Sequence, residues 1–148
     1  MPRDPYAAGL VELKAFPRKR DVVGQMVVVS RNRIEGRQLE VIAPRTRCVN
    51  RFEVHELIVT DEEVRPGGTV ENVAYWGFFE TEQSGVLQIG DLVEVGGRVL
   101  ARVAGFDLSH APNHLNIILR AESRATGLEQ DFKIGDRVVF RLDPTEAA

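Results

Sequence analysis

The chain predicts an all-β fold, a single partly open or closed β-barrel of about eight short strands. Three observations carry this. Runs of Val, Ile and Leu are interrupted about every 8–12 residues by Gly, Pro, Asn or Asp. No stripe of apolar residues keeps a helical period beyond two turns. A strand-opening unit also recurs, as Ile89-Gly90-Asp91-Leu92-Val93-Glu94-Val95 and again as Ile134-Gly135-Asp136-Arg137-Val138-Val139-Phe140. In each copy Gly-Asp makes a tight turn and the alternating valines after it make a strand. At 148 residues the chain fits one domain.

Residues 1–21 form an N-terminal segment that ends in the charged connector Phe16-Pro17-Arg18-Lys19-Arg20-Asp21. The barrel domain is expected over 22–142, with a tail over 143–148. Its first strand, 22–30, holds the β-branched run Met26-Val27-Val28-Val29, typical of a strand covered on both faces. Ile34-Glu35-Gly36-Arg37 reads as a hairpin tip, and Gln38 to Ala43 as a strand that Pro44 ends. From Arg45 a polar link runs into a strand over 52–59, whose apolar parity changes around His55-Glu56, the mark of a bulge. Residues 60–68 make an acidic turn, and Tyr75-Trp76-Gly77-Phe78-Phe79 then gathers four of the chain's ten aromatic rings, which must be core or pocket wall. Gly96-Gly97 turns the first repeat into a strand over 98–105, and 115–121 leaves the next loop as another.

Charge narrows the partners. Residues 1–51 hold eleven Lys/Arg against five Asp/Glu, and residues 52–148 hold eight against seventeen. The two halves attract, either within one chain or across a homodimer. Nucleic acid is not expected, because the basic residues are not interleaved with stacking aromatics. No run approaches membrane-spanning length and no signal-peptide core precedes the barrel, so the expectation is a cytoplasmic protein without a membrane partner. The single Cys48 fits a reducing compartment, and a buried inert thiol is expected there.

The chemistry concentrates in Gly105-Phe106-Asp107-Leu108-Ser109-His110-Ala111-Pro112-Asn113-His114-Leu115-Asn116-Ile117, which carries two of the chain's three histidines. Three readings compete. In one, His55, His110 and His114 offer neutral nitrogens to Zn²⁺ or Fe²⁺, with Asp107 or Glu56 as a carboxylate ligand or orienting group. In another, His110 or His114 is a general acid or base, Asp107 or Glu56 fixes its tautomer, and Asn113 and Asn116 orient a small-molecule substrate. In the third the same residues merely tie down the loop. Asn116 alternates with Leu115 and Ile117 and shares parity with His114, so both face either solvent or the lumen. A lumen walled by Tyr75, Trp76 and Phe78, with Arg47 as an anion contact, would make a small-molecule pocket. Glu53 and Glu56 offer a weaker pair of carboxylates. The expected function is therefore a small-molecule-binding barrel, an enzyme of isomerase, cyclase or lyase type, with a non-catalytic binding or regulatory module as the competing class.

A resemblance adds to this. Gly85-Val86-Leu87-Gln88-Ile89-Gly90-Asp91, Val99 to Gly105, Asn113 to Leu119 and Phe132 to Phe140 resemble, over roughly the last half of the chain, the glucitol/sorbitol-specific IIA component of the bacterial sugar phosphotransferase system. The resemblance implies a partly open, swapped β-barrel. That family's phosphorylated histidine corresponds to Ala74-Tyr75-Trp76-Gly77-Phe78-Phe79-Glu80, where no histidine stands. The pattern Val54-His55-Glu56-Leu57 with His110, Asn113, His114 and Asn116 also resembles a family of uncharacterised bacterial domains, which implies no activity.

Overall fold

A computed structural model describes residues 16–144. Residues 1–15 of the expected N-terminal segment and 145–148 of the tail lie outside the described residues. The fold is all-β, with no helix among the described residues. Its strands are β1 (Val22–Val29), β2 (Arg33–Ile34), β3 (Leu39–Glu40), β4 (Thr46–Val49), β5 (Val54–Thr60), β6 (Thr69–Val70), β7 (Val73–Gln83), β8 (Gly85–Gln88), β9 (Leu92–Val95), β10 (Arg98–Asp107), β11 (Asn116–Arg120) and β12 (Arg137–Arg141). Hydrogen bonds run β1-β12-β9-β10-β11-β5-β7 and return from β7 to β1, so these strands form a closed ring, with β2 added at the edge of β7. Every pairing in the ring is antiparallel except β5 with β11. Two small ribbons, β3-β6 and β4-β8, stand outside it. No helix is long and apolar enough to cross a membrane among the described residues.

The two Gly-Asp units do the same job twice. Gly90 and Gly135 take φ of +97° and +93°, a backbone region glycine enters without a Cβ penalty. Asp91 and Asp136 each accept, through Oδ2, the backbone N–H three residues earlier, Gln88 and Lys133, both at 2.9 Å. Each turn then clamps one residue of a neighbouring strand: Gly90 N–H donates to Val103 O while Val103 N–H donates to Asp91 O, and Gly135 and Asp136 treat Met26 in the same way. The strands that follow, β9 and β12, pair with each other. The repeat is thus a pseudo-symmetric element of the ring, as its alternating valines predict. Asp91 also receives Lys19 Nζ at 2.8 Å, an ion pair almost wholly buried.

Alternation sorts side chains into two cores. Leu57, Val59, Ile117, Leu119, Trp76 and Phe79 face inward and are buried in the barrel. Their sequence neighbours Ile58 and Ile118 face outward, yet both are 0% exposed. Leu39, Val41 and Val70, brought by the β3-β6 ribbon and the residues beside it, pack over them as a second apolar layer. Strands β5 and β11 are therefore covered on both faces, which is why they read as nearly continuous apolar runs.

Gly77 breaks the alternation of β7. Register slips by one residue opposite Leu57 and Ile58, where Leu57 pairs with Gly77 but Ile58 with Tyr75. Gly77 has φ of +133°, and a Cβ there would stand 1.8 Å from Val28 O, so only glycine fits. The bulge expected at His55-Glu56 accordingly sits two residues further along and on the partner strand. It also moves Phe78 to the outer face beside Tyr75, leaving Trp76 and Phe79 inside.

Candidate functional site

Four side chains meet in one row across the outer face, because register aligns Asp107 of β10 with Asn116 of β11, Asn116 with Glu56 of β5, and Glu56 with Phe78 of β7. Asn116 does not point into the lumen. It shares the parity of Ile118, which packs in the outer layer, and the loop over 108–115 covers it to 0% exposure. The lumen wall expected from Tyr75, Trp76 and Phe78 is corrected for the same reason. Trp76 is core, its indole N–H donating to Ala125 O at 3.1 Å and its ring meeting Phe132 edge-on. Tyr75 lies in the outer layer, its hydroxyl accepting from Arg37 Nε at 3.1 Å.

Asp107 anchors the row and is fully committed. Its Oδ1 accepts the Ser109 N–H at 2.9 Å, the Ser109 hydroxyl at 2.5 Å and Asn116 Nδ2 at 3.0 Å, and its Oδ2 accepts the Glu40 N–H at 3.2 Å. Burial opposes its charge, but these donors outweigh it and hold the carboxyl below the usual aspartate value. Asp107 thus fixes Asn116 and the start of the loop, and it is hydrogen-bonded to no histidine, so the carboxyls beside the imidazoles are Glu53 and Glu56.

Two imidazole–carboxyl pairs flank the loop. His55 is 9% exposed. Its Nδ1 accepts the Leu115 N–H at 2.9 Å, which places the proton on Nε2, 3.1 Å from Glu53 Oε1. His114 stands 3.6 Å through Nε2 from Glu56 Oε1, while its Nδ1 lies 2.7 Å from Asn113 Oδ1. Phe78 meets the His114 ring edge-on at 5.1 Å, and His110, exposed on the loop, stacks on it at 5.0 Å. Burial pushes the His114 pKa down, and the neighbouring His110 adds to this, while the Asn116 amide pulls the other way. Burial pushes the Glu56 carboxyl up to about 7 against the opposing charge of Arg37. His114 Nε2 and Asn116 Oδ1 are both buried without a hydrogen-bond partner. The arrangement therefore favours a neutral imidazole beside a carboxyl that holds its proton up to about 7.

Glu53 and His55 of the first pair and His114 of the second reach one hollow of about 250 Å³. Arg47, Cys48, Glu53, His55 and His114 line it together with Leu108, Ala111, Pro112 and Leu115 of the loop. Cys48 is exposed here instead of buried as expected. The three histidines do gather around the loop, but not as a metal set. Among the described residues no three His, Cys, Asp or Glu side chains are placed to hold an ion. The rings of His110 and His114 are stacked with only 20° between their planes, so their in-plane lone pairs run side by side instead of converging, and both His55 nitrogens are already engaged. Glu53 and Arg37 are the residues that sequence reading undervalued. Of these only Glu53 left a signal, two residues from His55 and hence on the same strand face.

Comparison with known proteins gives one match. The model of a family described as of unknown function, DUF6917, covers residues 16–141. No curated protein and no solved structure matches, so the likeness to the sorbitol IIA component finds no support there.

Proposed function

The chain belongs to the DUF6917 family, which has no assigned activity, and we propose that it is an acid–base catalyst acting on a small polar metabolite held in the hollow beneath the 108–115 loop. One observation carries this reading: His55 and His114, each beside a carboxyl (Glu53 and Glu56), line the same hollow. Structural histidines need one partner each. Here His55 bonds the loop backbone and still presents an Nε2–H whose acceptor, Glu53, is about half exposed and free to yield it to a ligand. A volume of about 250 Å³ lies below the range of drug-sized sites and suits a molecule of few heavy atoms. Arg47 at the hollow adds a cation for a carboxylate or a polarised carbonyl. In this reading His55 Nε2–H donates to the substrate oxygen on which charge develops, His114 removes a substrate proton as a neutral base, and Glu56, ionised above about pH 7, stabilises the imidazolium that forms. The chemistry is an isomerisation, cyclisation or elimination that begins with proton abstraction.

The test is a screen of small polar metabolites by thermal shift at pH 7.5, followed by exchange of substrate C–H protons in D₂O. His55→Gln is expected to weaken binding about tenfold, the loss of one hydrogen bond worth about 1.4 kcal/mol. His114→Gln is expected to lower the exchange rate by about 10²–10⁴ while binding survives. Exchange unchanged in His114→Gln would contradict the proposal, and ligand binding without any exchange would favour the non-catalytic module instead.

A further inference from the structure

The outer face of β10 and β11 carries a second feature at the end opposite the polar row. Arg102 and Arg120 are directly cross-strand in the register. Like charges placed so destabilise a sheet unless counter-charge is present. Arg102 has its counter-charge, with Asp143 Oδ2 at 2.5 Å and a further bond to Gly90 O at 3.3 Å. Arg120 is exposed, and none of the ion pairs or hydrogen bonds among the described residues includes its side chain. Both guanidinium groups border a hollow of about 470 Å³, within the range of small-molecule sites. Its walls are Val64, Ile89, Val103 and Ala104. Ala104 is the extra residue of a bulge between Val103 and Gly105, and bulges gather at sites because they re-aim side chains. Arg65 and Glu63 border the same hollow but pair loosely with each other at 3.7 Å, both highly exposed.

We propose that this hollow binds a small carboxylate with an apolar body, such as an aryl or branched alkyl carboxylate. Arg120 takes the carboxylate in the two-pronged geometry that guanidinium offers. Val64 and Ile89 cover the body. The Asp143 and Glu63 carboxylates nearby select against a phosphate dianion, which would need more positive charge than one uncommitted guanidinium supplies. The site is separate from the histidine hollow, with which it shares no lining residue.

Benzoate is the probe, followed through ¹H–¹⁵N amide shifts of the full chain, with benzamide and inorganic phosphate as the neutral and the dianionic controls. Benzoate is expected to shift the Val103, Ala104 and Arg120 amides saturably, with little response to either control. Arg120→Gln, an exposed position where folding is retained, is expected to weaken benzoate at least tenfold, and Arg120→Lys to give an intermediate loss. Absence of saturable shifts, equal binding to Arg120→Gln, or equal binding of benzamide or phosphate would each overturn the proposal.

Discussion

Asp107→Ala is expected to lower the unfolding free energy by about 3–5 kcal/mol, because four backbone and side-chain donors lose their acceptor at once and each buried orphan costs about 1–3 kcal/mol. Asn116 Nδ2 and the Glu40 N–H suffer most, since Asn116 is 0% exposed and Glu40 holds the β3 ribbon against the barrel. For a chain of this length that corresponds to a fall in Tm of about 10 °C. Asp107→Asn retains one acceptor oxygen and should cost less than half as much. The pH dependence follows from sign. The Asp107 carboxyl titrates below its ordinary 3.8, so its contribution is complete above that value and is lost as pH falls through the lower folded value. Wild type and Asp107→Ala should therefore converge in urea unfolding only in strong acid. A difference under 1 kcal/mol at pH 7 would mean that the 108–115 loop is not held by this carboxylate.

Glu56→Gln should produce the largest change in pH response. The folded carboxyl binds its proton up to about 7, against 4.5 for the ordinary group. Between those values the folded state holds more protons than the unfolded chain, so wild-type stability falls as pH rises through the window and levels off above it. Glutamine is neutral throughout and keeps the shape. Relative to wild type, Glu56→Gln should gain about 2–3 kcal/mol between pH 4.5 and 8, taking about 1.4 kcal/mol per unit and a partial discount for solvent. His114 acts oppositely. Its lowered pKa makes stability rise with pH up to 6.5, and its response to Glu56→Gln enters the difference curve only below about that value. A flat difference across pH 5–8 would show that Glu56 is ionised in the fold.

What could be read from the chain was what depends on neighbours in sequence. Gly90-Asp91 and Gly135-Asp136 each specify a turn through one backbone angle and one carboxylate bond three residues back, and the ring of strands follows from alternating valines. The loop over 108–115 was legible as a chemical site because its polar residues interrupt two apolar strands. Orientation was not legible. An apolar neighbour on each side of Asn116 fits a lumen as well as it fits an outer face covered by Leu39, Val41 and Val70, residues more than forty positions away. The slip at Gly77 inverted the faces expected of Phe78, since a bulge leaves no periodic trace when both faces are apolar. Tautomer and partner assignments were equally out of reach. That Leu115 N–H occupies His55 Nδ1 depends on a parallel pairing of β5 with β11 that no local pattern encodes.

The central claim is that two neutral imidazoles, each backed by a carboxyl, share one hollow. Imidazole ¹⁵N shifts recorded from pH 4 to 9 test it most directly. His55 is expected to keep its proton on Nε2 with Nδ1 an acceptor at pH 7.5, and His114 to titrate below 6.5 and to shift when Glu56 is replaced by glutamine. A His114 midpoint at or above 6.5 with no response to Glu56→Gln, or a proton on His55 Nδ1, would contradict it.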